Sequence, residues 1–169
     1  RKTTVARFAE LVEAARRSVE DVSITTDVMI GFPGETDAEF ETSLATVESL
    51  GFSKLHVFSY SRREGTPADR LPDHIASEVK SERSGRTREL SDRLEQRFYQ
   101  RNVGRVGTVL WERSEMSSGV VQWIGHTENF IRVVAEPAPD IALGNAITRA
   151  RLDAVERGGM SCKIGRAHV

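Results

Sequence analysis

The chain has 169 residues, of which 38% are hydrophobic and 29% charged, and carries a formal net charge of −1. That length suits one ordinary domain, or part of one followed by a small second domain. No apolar run nears the ~20 residues of a membrane span, the charged and helix-patterned start is no signal peptide, and the near-neutral total argues against a strongly basic nucleic-acid surface. A cytosolic setting is expected, with neither membrane nor DNA as a partner.

From Thr4 to Val19, the residues Val5, Phe8, Leu11, Val12, Ala15 and Val19 recur at three- and four-residue steps and share one face of a predicted helix. Residues 22–30 are rich in β-branched side chains and too short for another helix, so they read as a strand ending at Gly31. Thr36 followed by Glu39 fits a capping box. The helix it opens has Phe40, Leu44, Val47 and Leu50 on its inner face and Gly51 as its left-handed stop. Residues 54–60 form the next predicted strand, broken by 61–67. Helix, strand, helix, strand is the order of parallel β/α units.

A loop with Pro67 and Pro72 leads to a polar helix over about 75–100, seamed by Val79, Leu90, Leu94 and Phe98. Ser84, Gly85 and Thr87 stand in it where aliphatic residues would pack. Beyond Asn102 come short β-rich pieces (106–111, 119–124, 129–134, 146–152) separated by turn residues, the pattern of a small β-barrel. The boundary falls near 100–104. Residues 1–100 hold 15 basic and 18 acidic side chains and residues 101–169 hold 9 and 7, a mild basic shift compatible with RNA binding by the second part.

Within residues 22–30 an acid interrupts an apolar run. Side chains alternate across a strand, so Val28 and Ile30 suit burial against helices, whereas Asp27, Met29 and Gly31 point the other way. In a β/α barrel that is the lumen, at the C-terminal mouth where substrates bind. Gly31, without a side chain, would let a flat ligand approach the backbone. The same alternation groups His56, Phe58 and Tyr60. Asp27 bonding a neighbouring amide, and His56, Phe58 and Tyr60 as ordinary core, are the competing readings.

TTDVMIGFPGET (25–36) and LHVFSYSRREGTPA (55–68) together resemble the methylthiotransferase branch of the radical S-adenosylmethionine enzymes. HVFSYSRREGTPA is most similar to the enzymes that methylthiolate N6-threonylcarbamoyladenosine beside the tRNA anticodon. The resemblance implies the end of a partial (β/α) barrel with a linker helix (1–100), then an all-β, OB-like TRAM barrel that grips RNA (101–163). Residues 164–169, IGRAHV, match a reading frame of a common sequencing adapter and are set aside as a non-native tail. The start, without Met and inside a helical pattern, suggests a piece of something longer.

The resemblance further implies S-adenosylmethionine contacts from Asp27, Met29, Gly31, Phe58, Tyr60 and Arg62, and contacts to the tRNA anticodon stem-loop from Arg101, Arg105, Trp123, Asn129, Phe130 and Arg132. Trp111 is a further aromatic available either to RNA or to the core. The family reaction uses two 4Fe-4S clusters. Such clusters need several thiolates, and this chain has only Cys162, read as a bystander in a frayed tail. Neither a metal ligand nor a catalytic residue is therefore expected here: the clusters would be bound by a missing N-terminal part, and this chain alone would be chemically silent. The alternatives are the relatives acting on isopentenyladenosine or on a ribosomal-protein aspartate, and a non-catalytic RNA-binding module.

Overall fold

A computed structural model describes residues 3–117, 119–136, 143–156 and 158–164. The chain divides into two compact units, Arg1–Glu95 and Gln96–Val169.

The first unit runs α1 (Val5–Ser18), β1 (Thr25–Ile30), α2 (Asp37–Leu50), β2 (Lys54–Ser59), a 3-10 turn (Pro67–Arg70) and most of α3 (Ser77–Asn102). β1 and β2 pair in parallel, with Asp27 opposite His56 and Met29 opposite Phe58. Thr36 and Glu39 close the capping box that starts α2, and Gly51 ends it at φ 62°. The core holds Val12, Phe52, Leu55, Leu90 and Leu94, with Ile24, Val28 and Val57 packed against it. Val28, Leu55 and Val57 therefore look inward, and the opposite parity of both strands looks out.

Two expectations fail in this unit. Of the apolar face predicted for α1 only Val12 is buried, whereas Val5, Leu11 and Val19 are more than half exposed. Periodicity shows which residues share a side; burial also needs a neighbour, and here Phe52 meets just one end of that side, its ring 6.1 Å from that of Phe8. Val79, assigned to the seam of α3, is likewise exposed, while Leu90, Leu94 and Phe98 are buried. Ser84 and Thr87 are fully buried instead of marking a defect. Their small side chains let β2 approach the helix: Ser84 Oγ lies 2.9 Å from Ser59 Oγ, and Thr87 Oγ1 donates to Arg83 O at 2.8 Å.

In the second unit β3 (Val106–Ser117), β4 (Val120–Thr127), β5 (Arg132–Ala135), β6 (Ile147–Glu156) and β7 (Gly159–Ile164) close a barrel in the order β3-β4-β5-β7-β6. Its core includes Val109, Trp111, Val133, Leu152, Met160 and Cys162, capped by Phe98 and Tyr99 from the end of α3. Trp111 is fully buried, its Nε1 donating to Thr148 Oγ1 at 2.9 Å, and so belongs to the core.

The strand β7 was not expected, and it overturns the reading of Cys162 as a bystander. Met160 and Cys162 alternate inward along β7, and the thiol sits in the barrel core. Burial, and next the charge of Asp153, push its pKa up to about 12. Of the tail set aside above, Ile164 completes β7 and residues 165–169 lie outside the described residues.

Candidate functional site

The outward face of β1 and β2 is the first candidate. Asp27 and His56 are exposed, and Met29 and Phe58, directly opposite one another, are 56% and 53% exposed. An acid, an imidazole, a thioether and an aromatic ring thus share one face of a two-stranded sheet. Where β1 ends, Gly31 takes φ 75° and its amide donates to Glu35 Oε2 at 2.9 Å. A Cβ at Gly31 would collide with the Lys80 stem, so the space left by the missing side chain is filled by that lysine. Lys80 Nζ continues to Tyr60 O at 3.2 Å.

Tyr60 follows β2, and its amide donates to Ile30 O at 2.8 Å. Unlike Met29 and Phe58 it is buried, with Phe32 edge-on at 5.4 Å and His74 at 6.1 Å. Its hydroxyl has no hydrogen-bond partner among the described residues, an omission that costs about 1–3 kcal/mol in a folded protein. Arg62 is turned to Asp69: its Nε donates to Oδ1 and its Nη2 to the carbonyl at 3.3 Å. That hydrogen bond holds the Asp69 carboxyl below its ordinary pKa.

Sequence reasoning missed the brace beneath this turn. Arg83, buried on α3, donates from Nη1 to Glu35 Oε2 at 2.7 Å and Glu35 O at 3.1 Å, and from Nη2 to Asp37 Oδ1 at 2.6 Å. Its guanidinium lies 5.3 Å from the centre of the Phe40 ring. The Gly-Phe-Pro-Gly turn is thereby locked to α3 through a partner 48 positions away, a separation that local patterning does not reveal.

The second candidate is on the barrel. Between β4 and β5, Phe130 takes φ 62° and is 80% exposed. Left-handed backbone costs a bulky residue about 1 kcal/mol, and such strain persists where its surroundings over-determine it. Here Phe130 N donates to Thr127 O at 2.9 Å, Ile131 N to Thr127 Oγ1 at 2.9 Å, and Thr127 Oγ1 to Asn129 Oδ1 at 2.6 Å. Asn129 is tied in turn to Asn102, Nδ2 to Oδ1 at 3.4 Å. The loop holds the ring out in water.

The other RNA candidates are dispersed. Arg101 is exposed with its guanidinium 5.6 Å from the centre of the Phe98 ring. Arg105 is half-buried, Trp123 packs against the barrel core, and Arg132 donates to Gly158 O at 3.2 Å. Beside Phe130 a groove of about 490 Å³ runs over the outside of β3, lined by Leu110, Ile147, Glu112, His126 and Glu128. These five were not singled out in the sequence. Strand alternation pairs them on one face but does not say that the face is wet.

No protein-family model matches the chain. It is 34% identical over 142 residues to the threonylcarbamoyladenosine tRNA methylthiotransferase of Bacillus subtilis, covering 83% of this chain and 32% of that protein. It is 36% identical over 153 residues to the tRNA-2-methylthio-N(6)-dimethylallyladenosine synthase of Clavibacter sepedonicus, covering 85% and 29%. Against the threonylcarbamoyladenosine enzyme of Thermotoga maritima the identity is 37% over 132 residues, covering 78% and 30%. The chain belongs to the radical S-adenosylmethionine methylthiotransferase family. It spans about a third of the length of the curated relatives it matches.

Proposed function

We propose that this chain is the closing β/α segment and the TRAM domain of a cytosolic tRNA methylthiotransferase, which adds a methylthio group to C2 of N6-threonylcarbamoyladenosine next to the anticodon. The observation that carries the reading is 34% identity to such an enzyme over 83% of the chain, together with the placement of TTDVMIGFPGET and HVFSYSRREGTPA at the same end of two paired parallel strands. Identity to the dimethylallyladenosine synthase is about as high, which makes that base the second reading.

The outward face of β1 and β2 fits a nucleoside cofactor. Asp27 offers a carboxylate acceptor, Met29 and Phe58 an exposed apolar surface, and Tyr60 a buried hydroxyl that lacks a partner among the described residues. S-adenosylmethionine held there would supply the radical and the methyl group. Iron-sulfur clusters do not fit the residues present: the only thiol, Cys162, is buried and kept protonated by its surroundings, and no group of three metal-binding side chains occurs among the described residues. In this reading the clusters belong to the remainder of a longer enzyme, and the chain alone is inactive. What its own residues do is bind and orient, with the Arg83 brace fixing the turn at the mouth. Among the described residues, no helix is long and apolar enough to cross a membrane.

The test is mass spectrometry of tRNA nucleosides from the source organism with the parent gene deleted. Loss of the methylthio group from threonylcarbamoyladenosine supports the reading. Loss from isopentenyladenosine moves the assignment to that base, and an unchanged profile overturns it.

A further inference from the structure

The groove on the barrel joins an exposed apolar lining to two carboxylates and an imidazole. Its apolar lining is exposed: Leu110 by 44%, Ile147 by 67% and Phe130 by 80%. Its volume of about 490 Å³ lies within the ~300–1,000 Å³ usual for ligand clefts. The strand register orders the charges around it. Leu110 pairs with His126 on β4 and with Ile147 on β6, while Thr108 pairs with Arg149 on β6. Acids thus stand toward β4 and an arginine toward β6.

The carboxylates are held in place rather than waving in solvent. Glu128 Oε2 accepts from Thr108 N at 2.7 Å, and Glu112 Oε1 lies 2.9 Å from His126 Nδ1. Glu128 Oε1 and Glu112 Oε2 are left without a hydrogen-bond partner among the described residues. Arg149 is exposed and has no ion pair among the described residues, whereas Arg151, next on that face of β6, is bound to Asp153 at 2.8 Å.

We propose that this groove is a one-nucleotide subsite that takes an unpaired base carrying an exocyclic amino group. The base stacks on Phe130 against Leu110 and Ile147. Its amino group donates to the open carboxylate oxygens of Glu112 and Glu128, and its phosphate lies toward Arg149. Charge complementarity fixes this occupant and its direction: two carboxylates repel a phosphate and accept N–H donors, and Arg149, a cation without an ion pair among the described residues, is on the opposite side. Uracil is disfavoured because its O4, a lone-pair acceptor, would face the carboxylates where cytosine presents N4–H₂. The proposal rests on the RNA-binding reading of the barrel and adds base selection to it.

The experiment measures binding of the intact chain to fluorescein-labelled decamers of rC and rU at pH 7.5, over a range of salt. The wild type should prefer rC by fivefold or more. Phe130→Ala, at an exposed position, should weaken rC binding about tenfold, in line with the loss of one base–aromatic stack. The double variant Glu112→Gln, Glu128→Gln should bring the rC-to-rU ratio near one, because an amide can also donate to O4. Arg149→Gln should lower the salt slope by about one.

If the double variant instead raises both affinities equally and leaves the ratio unchanged, the carboxylates act only as background charge and the proposal falls. A wild type that binds both decamers alike, or that is indifferent to Phe130→Ala, overturns the subsite while leaving RNA binding intact. No binding to either decamer overturns the RNA-binding reading and the subsite together.

Discussion

The two units handle their outer surfaces in opposite ways. In the first, a sheet of two strands covers one face with helices and leaves Met29 and Phe58 on the other, open to water. In the second, five strands close on themselves into a barrel, and the exposed apolar groups of the groove are on β3, the start of β6 and the Phe130 loop. A closed barrel satisfies its backbone without help, and the groove on its outside is where the proposal above seats a base. An open sheet face calls for a cover, and on the reading above that cover is a nucleoside together with the rest of a larger barrel.

The comparison is broken most severely by removing what holds each unit together. Trp111→Ala should cost the closed barrel about 3–5 kcal/mol, the usual penalty for an emptied aromatic site. Arg83→Ala should cost the open unit about 3 kcal/mol by taking the cation from the largely buried Glu35 carboxylate and leaving it only the Gly31 amide. Hydrogen exchange resolved by residue distinguishes them: the tryptophan variant should lose protection in β3–β7, and the arginine variant at residues 31–40 and in the part of α3 that faces them.

A smaller effect separates the units by pH. The Cys162 thiol ionises at about 9 in the unfolded chain and about 12 in the barrel. Because the folded pKa is raised, the contribution is fully present below pH 9 and is lost as pH climbs from 9 toward 12, at up to ~1.4 kcal/mol per unit. Denaturation midpoints of the wild type should fall more steeply over this range than those of Cys162→Ala, whose cavity penalty does not vary with pH. Iodoacetamide at pH 8 should label Cys162 only after the barrel unfolds.

Much of this division can be read in the chain, and the residues show where reading stops. Alternation in 25–30 separates Asp27 and Met29 from Val28 and Ile30, and the capping box locates α2, because both signals lie within a few residues. The strand β7 escapes notice because Gly159, Ser161 and Lys163 dilute six residues that contain only three apolar side chains. In β3 both parities are apolar, Val109 and Trp111 inside and Val106 and Leu110 outside, so the pattern cannot say which side is wet. The Arg83 brace depends on a contact between distant segments, and the strain at Phe130 on a loop network that no short motif records.

Two milder changes sharpen the contrast. Phe130→Gly should stabilise the barrel by about 1 kcal/mol, since glycine occupies φ 62° freely, while weakening RNA binding; a thermal melt and the decamer assay together read this exchange of stability for function. Phe58→Ser should change the stability of this chain by less than about 0.5 kcal/mol, as expected for an exposed position, and denaturant titration checks it.

The claim on which the rest depends is that the wet face of β1 and β2 is a ligand face. Its most direct test is complementation of a deletion strain with the full-length gene carrying Met29→Ser and Phe58→Ser, read by mass spectrometry of tRNA nucleosides and by immunoblot. The methylthio group should disappear while the enzyme accumulates at its normal level; methylthiolation at the wild-type level would contradict the account.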